Sequence, residues 1–512
     1  MKSKAGAILS SIRINRDSDR KISVQLYIGL RDVILSGGVH GGERMPASRT
    51  LATELGVSRT TVVEALDRLI SEGLLESRVG AGTFVSMDLA KVAQKKRPLK
   101  KSGQHSATPT FSGASLRASK HFASRDRLPS RTQAFITGLP ALDEFPMAQW
   151  ARLSARHWRI ERDASLSYGE TFGLPRLRSA ICAHLNASRG IQCDPEQVLI
   201  VGGAQQAFSL IGDLLLEQGD KVWFENPGAI GARNAFISRG ASLVPVSIDE
   251  QGLSVSDGMA KSPVFKLVFV TPSHQQPLGR VMSFARRLDL LSAAENSNAL
   301  IVEDDYDGDF FYGNQPQPTL KSIDTSDRVI YVGTFSKSLF PSLRLGFILL
   351  PQSLVEMTKI IAESALSGVP TATQSIVADF MDEGHFATHI RSMRALYKQR
   401  HNALLDASRA ISSHIDILPA SSGFHTIGLF RQPCDEMEFV NLASQKAIIL
   451  APITKYCLSP VALNGFVIGY GATNKTEINK GVGMIADICR DIFENWTGKI
   501  SRMDMIASPM SR

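Results

Sequence analysis

Short apolar segments alternate with segments of helical length through most of this 512-residue chain. Six of the apolar segments have the length and composition of buried strands: Val198–Val201, Lys221–Phe224, Lys266–Val270, Leu300–Val302, Val329–Val332 and Leu345–Leu349. Strands that alternate with helices form a largely parallel sheet that is covered on both faces. The sequence therefore predicts a large α/β domain, and ligands of such domains bind at the carboxyl ends of the strands.

A lysine in a polar setting follows one of these strands. Lys337 is flanked by Thr334, Ser336 and Arg344, and hydroxyls with a guanidinium at this spacing suit a phosphate group. Most lysines are simply exposed on the surface. These neighbours instead favour a lysine that carries pyridoxal 5′-phosphate (PLP) covalently as a Schiff base.

An acidic run follows the strand before it. PLP needs an acid facing its ring nitrogen and a donor to its ring oxygen. We expect Asp304 to be the acid, with Asp305 as the competing candidate, and Tyr306 to be the donor. A solvated acidic loop or a metal site is the alternative interpretation of this run.

Two further segments complete the expected cofactor site. Gly203, Ala204 and Gln205 open a helix after a strand, where free backbone N–H groups can cradle a phosphate. Gln276 is expected near the ring oxygen, at a position where similar PLP-binding proteins often have an asparagine. A glycine-rich helix start is a weak motif alone, but its position relative to the acidic run and the lysine supports the PLP interpretation.

The N-terminal region has the pattern of a winged helix-turn-helix. Its predicted elements are a helix over Tyr27–Ser36, a short helix from Ser48 to Gly56, a longer helix over Arg59–Ser71, and wing strands over Leu74–Ser77 and Thr83–Val85. Ser48 and Ser58 are the predicted N-caps of the second and third helices.

In such a module the first turn of the longer helix enters the major groove of DNA. The residues predicted to contact the duplex are Arg44, Arg49, Ser58, Arg59, Thr60, Thr61, Gly80 and Gly82. The first 110 residues hold 18 basic and 10 acidic side chains, whereas the remainder is balanced at 39 of each. This charge favours double-stranded DNA as the partner over a helix-turn-helix that serves only for packing.

The same patterns divide the chain into four parts. We predict a DNA-binding domain at 20–87, a flexible basic linker at 88–131, a cofactor-binding and dimerisation domain at 132–495, and a tail at 496–512. The five cysteines are scattered without a Cys-x-x-Cys pair. We therefore expect a bacterial, nucleoid-associated protein in a reducing cytoplasm, with no disulfide framework and no metal site. No apolar run is long enough to span a membrane.

Residues 27–85 resemble the GntR-type winged helix, on Leu55–Arg59 and Gly80–Val85 among other segments. The larger region is similar to aminotransferases of fold type I, and the combination resembles the MocR-like subfamily of GntR regulators. The resemblance covers nearly the whole chain outside the linker and the tail. It implies covalent PLP at Lys337 and a head-to-tail homodimer in which Tyr168 reaches the phosphate of the partner subunit.

The sequence departs from that family at two places. Ala229 follows Pro-Gly, where the family has an aromatic residue that stacks on the cofactor ring, and Phe208 is a possible replacement. The stretch that matches the carboxylate-binding arginine of aminotransferases, Asn464–Tyr470, has Val467 or one of its neighbours at that place and no arginine. The candidate substitute anchors for a ligand are Arg131, Arg233 and His425.

These features together predict a PLP-dependent transcriptional regulator that senses a small amine, or PLP itself. Loss of the arginine weighs against efficient transamination, since a carboxylate clamp orients such substrates, but leaves weak or half-transamination open. One alternative is an active aminotransferase with an appended DNA-binding domain. The other is a DNA-binding protein whose larger domain has lost PLP and serves as a scaffold.

Overall fold

The computed structural model describes residues 12, 14–16, 18–78, 81–87, 111–124, 133–160, 166–313 and 317–494. Tertiary contacts divide the chain into an N-terminal unit, residues 1–110, and a C-terminal unit, residues 111–512. Among the described residues, no helix has both the length and the apolar character that crossing a membrane requires.

The N-terminal unit is a winged helix-turn-helix, as predicted. Its elements are helices α1 (Ile22–Leu35), α2 (Ser48–Leu55) and α3 (Arg59–Ser71), followed by strands β1 (Leu75–Arg78) and β2 (Gly82–Val85). The two strands pair antiparallel, with Leu75 opposite Val85. Apolar side chains of all three helices and both strands form one buried cluster, which includes Leu30, Leu51 and Leu69.

The two predicted helix caps differ in outcome. Ser58 caps α3, since its side chain accepts a hydrogen bond from the backbone N–H of Thr61 at 3.1 Å. The prediction for Ser48 is wrong, because Ser48 is the first helical residue and the cap position is Ala47, which follows Pro46 in extended conformation. A residue whose own backbone is already helical does not have the extended backbone of a cap.

The C-terminal unit is built on an eight-stranded sheet with the order β3-β10-β9-β8-β7-β4-β5-β6. Its strands are β3 (Val198–Val201), β4 (Lys221–Asn226), β5 (Ser242–Asp249), β6 (Gly252–Leu253), β7 (Leu267–Val270), β8 (Leu300–Asp304), β9 (Val329–Thr334) and β10 (Gly346–Leu349). All six predicted strands are confirmed. Strands β5, β4, β7, β8 and β9 run parallel, and β10 pairs antiparallel with both β9 and β3.

Helices cover both faces of this sheet. The helices of the unit are α4 (Gly113–Ser119), α5 (Met147–Ile160), α6 (Pro175–Arg189), α7 (Ala204–Leu215), α8 (Ile230–Ser238), α9 (Val255–Lys261), α10 (Phe284–Asn296), α11 (Leu320–Ile323), α12 (Phe335–Ser338), α13 (Gln352–Ala365), α14 (Thr371–Asp382), α15 (His385–Ser408), α16 (Glu436–Gln445) and α17 (Lys475–Cys489). Along β7, Phe269 packs with residues of α7 and α8, whereas its neighbour Val268 packs with α10. This alternation is the one expected for a sheet buried on both sides.

A second, antiparallel sheet follows in the chain, with the order β11-β12-β14-β13. Its strands are β11 (Ile415–Ile417), β12 (His425–Phe430), β13 (Ala451–Pro452) and β14 (Gly465–Gly469). Phe466 of β14 stacks on Phe439 of α16, with ring centroids 5.4 Å apart. Val467 is paired with Ala451 and Ile427 on either side, so its position is fixed by the middle of this sheet.

Part of the stretch predicted as linker is ordered in the C-terminal unit. Helix α4 lies within it, and Ala123 makes two hydrogen bonds with the side chain of Asn234 on α8. The backbone N–H of Ala123 donates to Asn234 Oδ1 at 3.0 Å, and its carbonyl accepts from Nδ2 at 2.8 Å. Residues 111–124 thus include a short helix and a contact with α8 within the predicted linker. Hydrophobic periodicity does not report a contact between one backbone unit and a side-chain amide far along the chain.

Candidate functional site

A cavity of about 370 Å³ lies at the carboxyl edge of the parallel sheet. Of the residues predicted to bind the cofactor, those that line it are Gly203, Ala204, Gln205, Gln276, Asp304, Tyr306, Thr334, Ser336, Lys337 and Arg344. They come from segments up to about 140 residues apart in sequence, and the sheet brings them together. Tyr168 does not line this cavity and is fully exposed.

Lys337 reaches the cavity from the short helix α12, which begins directly after β9. Its side chain is half-buried, and Nζ donates a hydrogen bond to the backbone carbonyl of Gly138. Gly138 has a φ of +74°, and a Cβ at that position would lie 2.7 Å from Nζ. The close approach of backbone to amine therefore requires glycine there.

Asp304 and Asp305 point to opposite sides of the strand end, as neighbours on an extended chain do. Asp304 lines the cavity. Asp305 forms a buried ion pair with Arg189 and accepts a hydrogen bond from the hydroxyl of Tyr331 at 2.6 Å. Of the two acids, only Asp304 faces the space in which a ligand would sit.

The surroundings of Asp304 favour a protonated acid. Burial raises its pKa well above the ordinary value, and the nearby carboxyl groups of Asp305, Asp307 and Glu225 raise it further, against a smaller opposing effect of Lys337. Oδ1 of Asp304 is buried without a hydrogen-bond partner among the described residues. Such a group favours a ligand that brings a basic or cationic nitrogen to this oxygen.

Tyr306 lines the cavity two residues further on. Its hydroxyl donates to the backbone carbonyl of His274 at 2.9 Å. Burial raises the pKa of Tyr306 well above its usual value, followed by the nearby carboxyl groups, so the hydroxyl keeps its proton and remains a donor. His274 in turn pairs with Asp307, with Nδ1 2.8 Å from Oδ2.

Three of these buried groups also form a possible metal-ligand set. His274, Asp307 and His425 have donor atoms within 4.8 Å of one another. His425 lines the cavity, and burial lowers its pKa well below the ordinary value, so this imidazole is neutral. The sequence predicted no metal site, and with this set present that expectation stays a prediction.

Helix α7 begins at the opposite end of the cavity. Gly203 precedes it with a φ of +97°, which only glycine adopts without strain, and the first residues of the helix line the cavity. Arg344 is exposed and also has a positive φ, of +51°. A helix N-terminus facing an arginine is an arrangement that binds anions.

Thr334 is engaged locally. Its hydroxyl accepts a hydrogen bond from the backbone N–H of Ser336 at 3.2 Å and so caps α12.

Both departures noted in the sequence fall in the lining of the cavity. Ala229 is 3% exposed there, and Phe208 of α7 lines the same space. Val467 also lines it, without an arginine beside it on β14. Among the described lining residues, the cationic side chains are Lys337, Arg344 and Lys455.

Of the three alternative anchors, the structure brings only His425 to the cavity. Arg233 does not line it, and its guanidinium donates to the carbonyl of Cys457 at 2.9 Å. Arg131 lies outside the described residues.

Sequence reasoning missed Ser124, Thr137, Gly138, Lys455 and Tyr456, which also line the cavity. Ser124, Thr137 and Gly138 lie in loops and turns, and Lys455 and Tyr456 lie in a short 3-10 helix (Ile453–Tyr456). All are at least 118 positions from Lys337 and outside any motif, so no local pattern identifies them.

Most of the residues predicted to contact DNA are exposed on the N-terminal unit. Arg44, Arg49, Ser58, Arg59 and Thr60 are exposed, and Thr61 is half-buried at the start of α3. The guanidinium of Arg44 lies against the wing, since a Cβ on Gly82 would be 2.9 Å from its Nε. Gly82 has a φ of +109°, and Gly80 lies outside the described residues.

Comparison with known families agrees with this two-part architecture. Residues 22–85 match the family of bacterial regulatory proteins of the gntR type. Residues 143–462, more than half of the chain, match aminotransferases of class I and II. The fold and the site thus define a helix-turn-helix regulator joined to a fold-type-I aminotransferase-like domain.

Relatives of similar length share both parts. The chain is 36% identical over 474 residues to the probable rhizopine catabolism regulatory protein MocR of Rhizobium meliloti, covering 92% of this chain and 94% of that protein. It is 31% identical to the HTH-type transcriptional regulator TauR of Rhodobacter capsulatus, covering 89% and 94%. The crystal structure of the multiple substrate aminotransferase from Thermococcus profundus superposes with a TM-score of 0.66 at 26% identity, covering 72% and 93%. The protein belongs to the MocR-type helix-turn-helix transcriptional regulators.

Proposed function

We propose that this regulator binds PLP covalently at Lys337 and senses a small amine, or PLP itself, in the bacterial cytoplasm, and that it is not primarily an enzyme. The observation that carries the proposal is the composition of one cavity. Lys337 and Asp304 line it together, yet Val467 occupies the place of a carboxylate-binding arginine. The cavity thus has groups for a cofactor but lacks the usual clamp for an amino-acid substrate.

The donor set of the cavity fits PLP. Lys337 offers an amine, and Asp304, whose Oδ1 is buried without a partner among the described residues, is the acid that would face a ring nitrogen. The hydroxyl of Tyr306 can donate to a ring oxygen, beside Gln276. Residues 203–205, Thr334, Ser336 and Arg344 would hold the phosphate.

Bound PLP would supply an aldehyde carbon with which primary amines condense. The chain's own residues set what reaches that carbon. Ala229 and Phe208 both line the cavity, so a bound ring would have no aromatic residue at position 229 and Phe208 would be the candidate replacement. Val467 admits a substituent that carries no carboxylate, whereas Lys455 and Tyr456 offer polar contacts to the same substituent.

The output of the proposed sensor is a change in DNA binding. We place a head-to-tail homodimer on paired half-sites of a double-stranded operator, with α3 of each chain in the major groove. Tyr168 is fully exposed and is thus available to reach the phosphate site of the partner subunit. An effector can shift transcription only through its different affinities for the two arrangements of the dimer.

The decisive experiment is the visible absorption spectrum of the purified protein, recorded beside a Lys337→Ala variant. We expect the absorption band of covalently held PLP in the parent and its loss in the variant. A matched control is Lys455→Ala, which removes the other lysine of the cavity and should keep the band. Amines are then screened by the shift of the band in the parent.

The same preparation separates the alternatives. Steady production of keto acid over many turnovers would show an active aminotransferase and contradict the regulatory assignment. Absence of the band, even after PLP is added, would leave a DNA-binding protein with a PLP-free scaffold. An unchanged band in Lys337→Ala would remove Lys337 as the attachment site.

A further inference from the structure

Two cysteine side chains meet behind the cavity, away from the residues already discussed. Cys182 lies on α6, and Cys193 lies four residues beyond the end of that helix. Their Sγ atoms are 3.0 Å apart. A disulfide bond is ~2.05 Å long, so the two sulfurs need to approach by only about 1 Å to be joined.

The two thiols differ in exposure and acidity. Cys182 is 9% exposed, whereas Cys193 is half-buried and so open to solvent. The hydrogen bond between the two thiols lowers the pKa of Cys193 below its usual value, and the positive charge of Lys321 adds to this against the effect of burial. The same hydrogen bond, together with burial, raises the pKa of Cys182. Cys193 is therefore the more acidic and more accessible thiol of the pair, and the thiolate is the reactive form of a cysteine.

We propose that Cys182 and Cys193 form a reversible intramolecular disulfide when the protein meets hydrogen peroxide. The sulfur of Cys193 attacks one peroxide oxygen, the O–O bond breaks, and the leaving hydroxide takes up a proton to become water. The sulfenic acid formed on Cys193 is then attacked by the sulfur of Cys182, the S–O bond breaks, and a second water leaves. Two thiols and one peroxide thus give one disulfide and two waters, and a dithiol reductant reverses the reaction.

The position of the pair connects it to the frame of the cavity. Cys182 and Arg189 are seven residues apart on α6, about two helical turns, and Arg189 holds Asp305 beside Asp304. Cys193 precedes the turn Pro195–Gln197, which leads directly into β3 and on to Gly203. The disulfide bond would therefore join α6, whose Arg189 pairs with the neighbour of Asp304, to the segment that leads through β3 to Gly203. This inference does not rest on PLP binding, because neither cysteine lines the cavity.

The test uses the full-length protein, reduced, freed of reductant and treated with one equivalent of hydrogen peroxide. Thiols titrated after denaturation should fall from five to three. Peptide mass analysis under non-reducing conditions should find the peptides of Cys182 and Cys193 linked, with a mass lower by two hydrogens. Addition of dithiothreitol should restore all five thiols.

Two variants separate this pair from general oxidation. Cys193→Ser should lose the linked peptide, whereas Cys434→Ser removes a half-buried thiol elsewhere and should keep it. The proposal is wrong if the parent retains five thiols, if Cys193 is converted to a sulfinic acid without a link, or if the link joins two chains. The peptide analysis of the parent decides the question even where a variant does not fold.

Discussion

At the scale of single residues, neighbouring acids of the same type have different tasks. Oδ2 of Asp305 is buried against Arg189 and Tyr331. Oδ1 of each acid has no hydrogen-bond partner among the described residues, but only Asp304 lines the cavity. The first arrangement stabilises the fold. The second is costly to the folded protein unless a ligand joins it, which is typical of binding sites.

This difference predicts that the same substitution at the two acids changes the free energy of unfolding by very different amounts. Asp305→Asn should lower the free energy of unfolding by about 3–5 kcal/mol, because it leaves the guanidinium of Arg189 buried without its counter-charge. Asp304→Asn should change it by at most about 1 kcal/mol, since no hydrogen bond to Oδ1 is lost and a neutral amide replaces an acid whose surroundings disfavour its charge. Urea unfolding of both variants without added PLP measures the contrast. Equal losses would contradict the division of tasks.

Single residues also show how far the sequence predicts the site. Lys337, Asp304 and Gly203 were predicted to lie together because each follows a strand of one parallel sheet, and the structure brings them together. Gly138 and Lys455 belong to segments without periodicity, and their places depend on long-range packing. Site residues that follow a strand can thus be predicted from one sequence, whereas cavity-lining residues from segments without a motif cannot.

At the scale of elements, the sequence predicts long, regular helices and strands well, whereas it does not predict short helices that depend on long-range contacts. The bounds of α3 were predicted to the residue, since Ser58 caps it and its apolar stripe is regular. Helix α4 was missed because it has seven residues and few buried side chains. Its segment is held by the Asn234 amide, an interaction that the sequence does not reveal.

Helix α15 carries a polar residue on its buried side that makes stability depend on pH. His401 is 5% exposed, and its Nε2 accepts a hydrogen bond from the backbone N–H of Ala420 at 3.0 Å. Burial lowers the pKa of His401 to about 4. The unfolded chain therefore takes up a proton near pH 6.5 while the folded chain does not, so stability is complete above pH 6.5 and falls as the pH is lowered towards 4.

The prediction concerns His401→Gln, whose side-chain oxygen can accept the same hydrogen bond but does not titrate. Between pH 6.5 and 5 the parent should lose about 2 kcal/mol more unfolding free energy than this variant. Urea unfolding at the two pH values measures the difference. Parallel pH profiles would mean that His401 titrates alike in both states.

At the scale of the whole molecule, the two units divide the charge. The excess of basic side chains falls in the first 110 residues, which contain the helix-turn-helix, while the larger unit is balanced. A balanced surface on the larger unit keeps it from competing for nucleic acid. DNA affinity should then depend on salt through few side chains, and mainly through those at the start of α3.

Substitution of Arg59 tests both the salt dependence of DNA affinity and the number of chains that bind the operator. It is exposed at the first turn of α3. If each Arg59 meets a phosphate, Arg59→Ala should reduce the slope of log affinity against log salt by about one per chain, hence by about two for a dimer on paired half-sites. If it reads a base, affinity for the operator should fall by about 1–3 kcal/mol with less effect on other DNA.

Arg68→Ala is the matched control, because Arg68 is an exposed arginine at the other end of the same helix. Equal changes in both variants, in fluorescence anisotropy titrations over a salt series, would reduce the role of Arg59 to general charge, and a change of one in the slope would contradict the dimer.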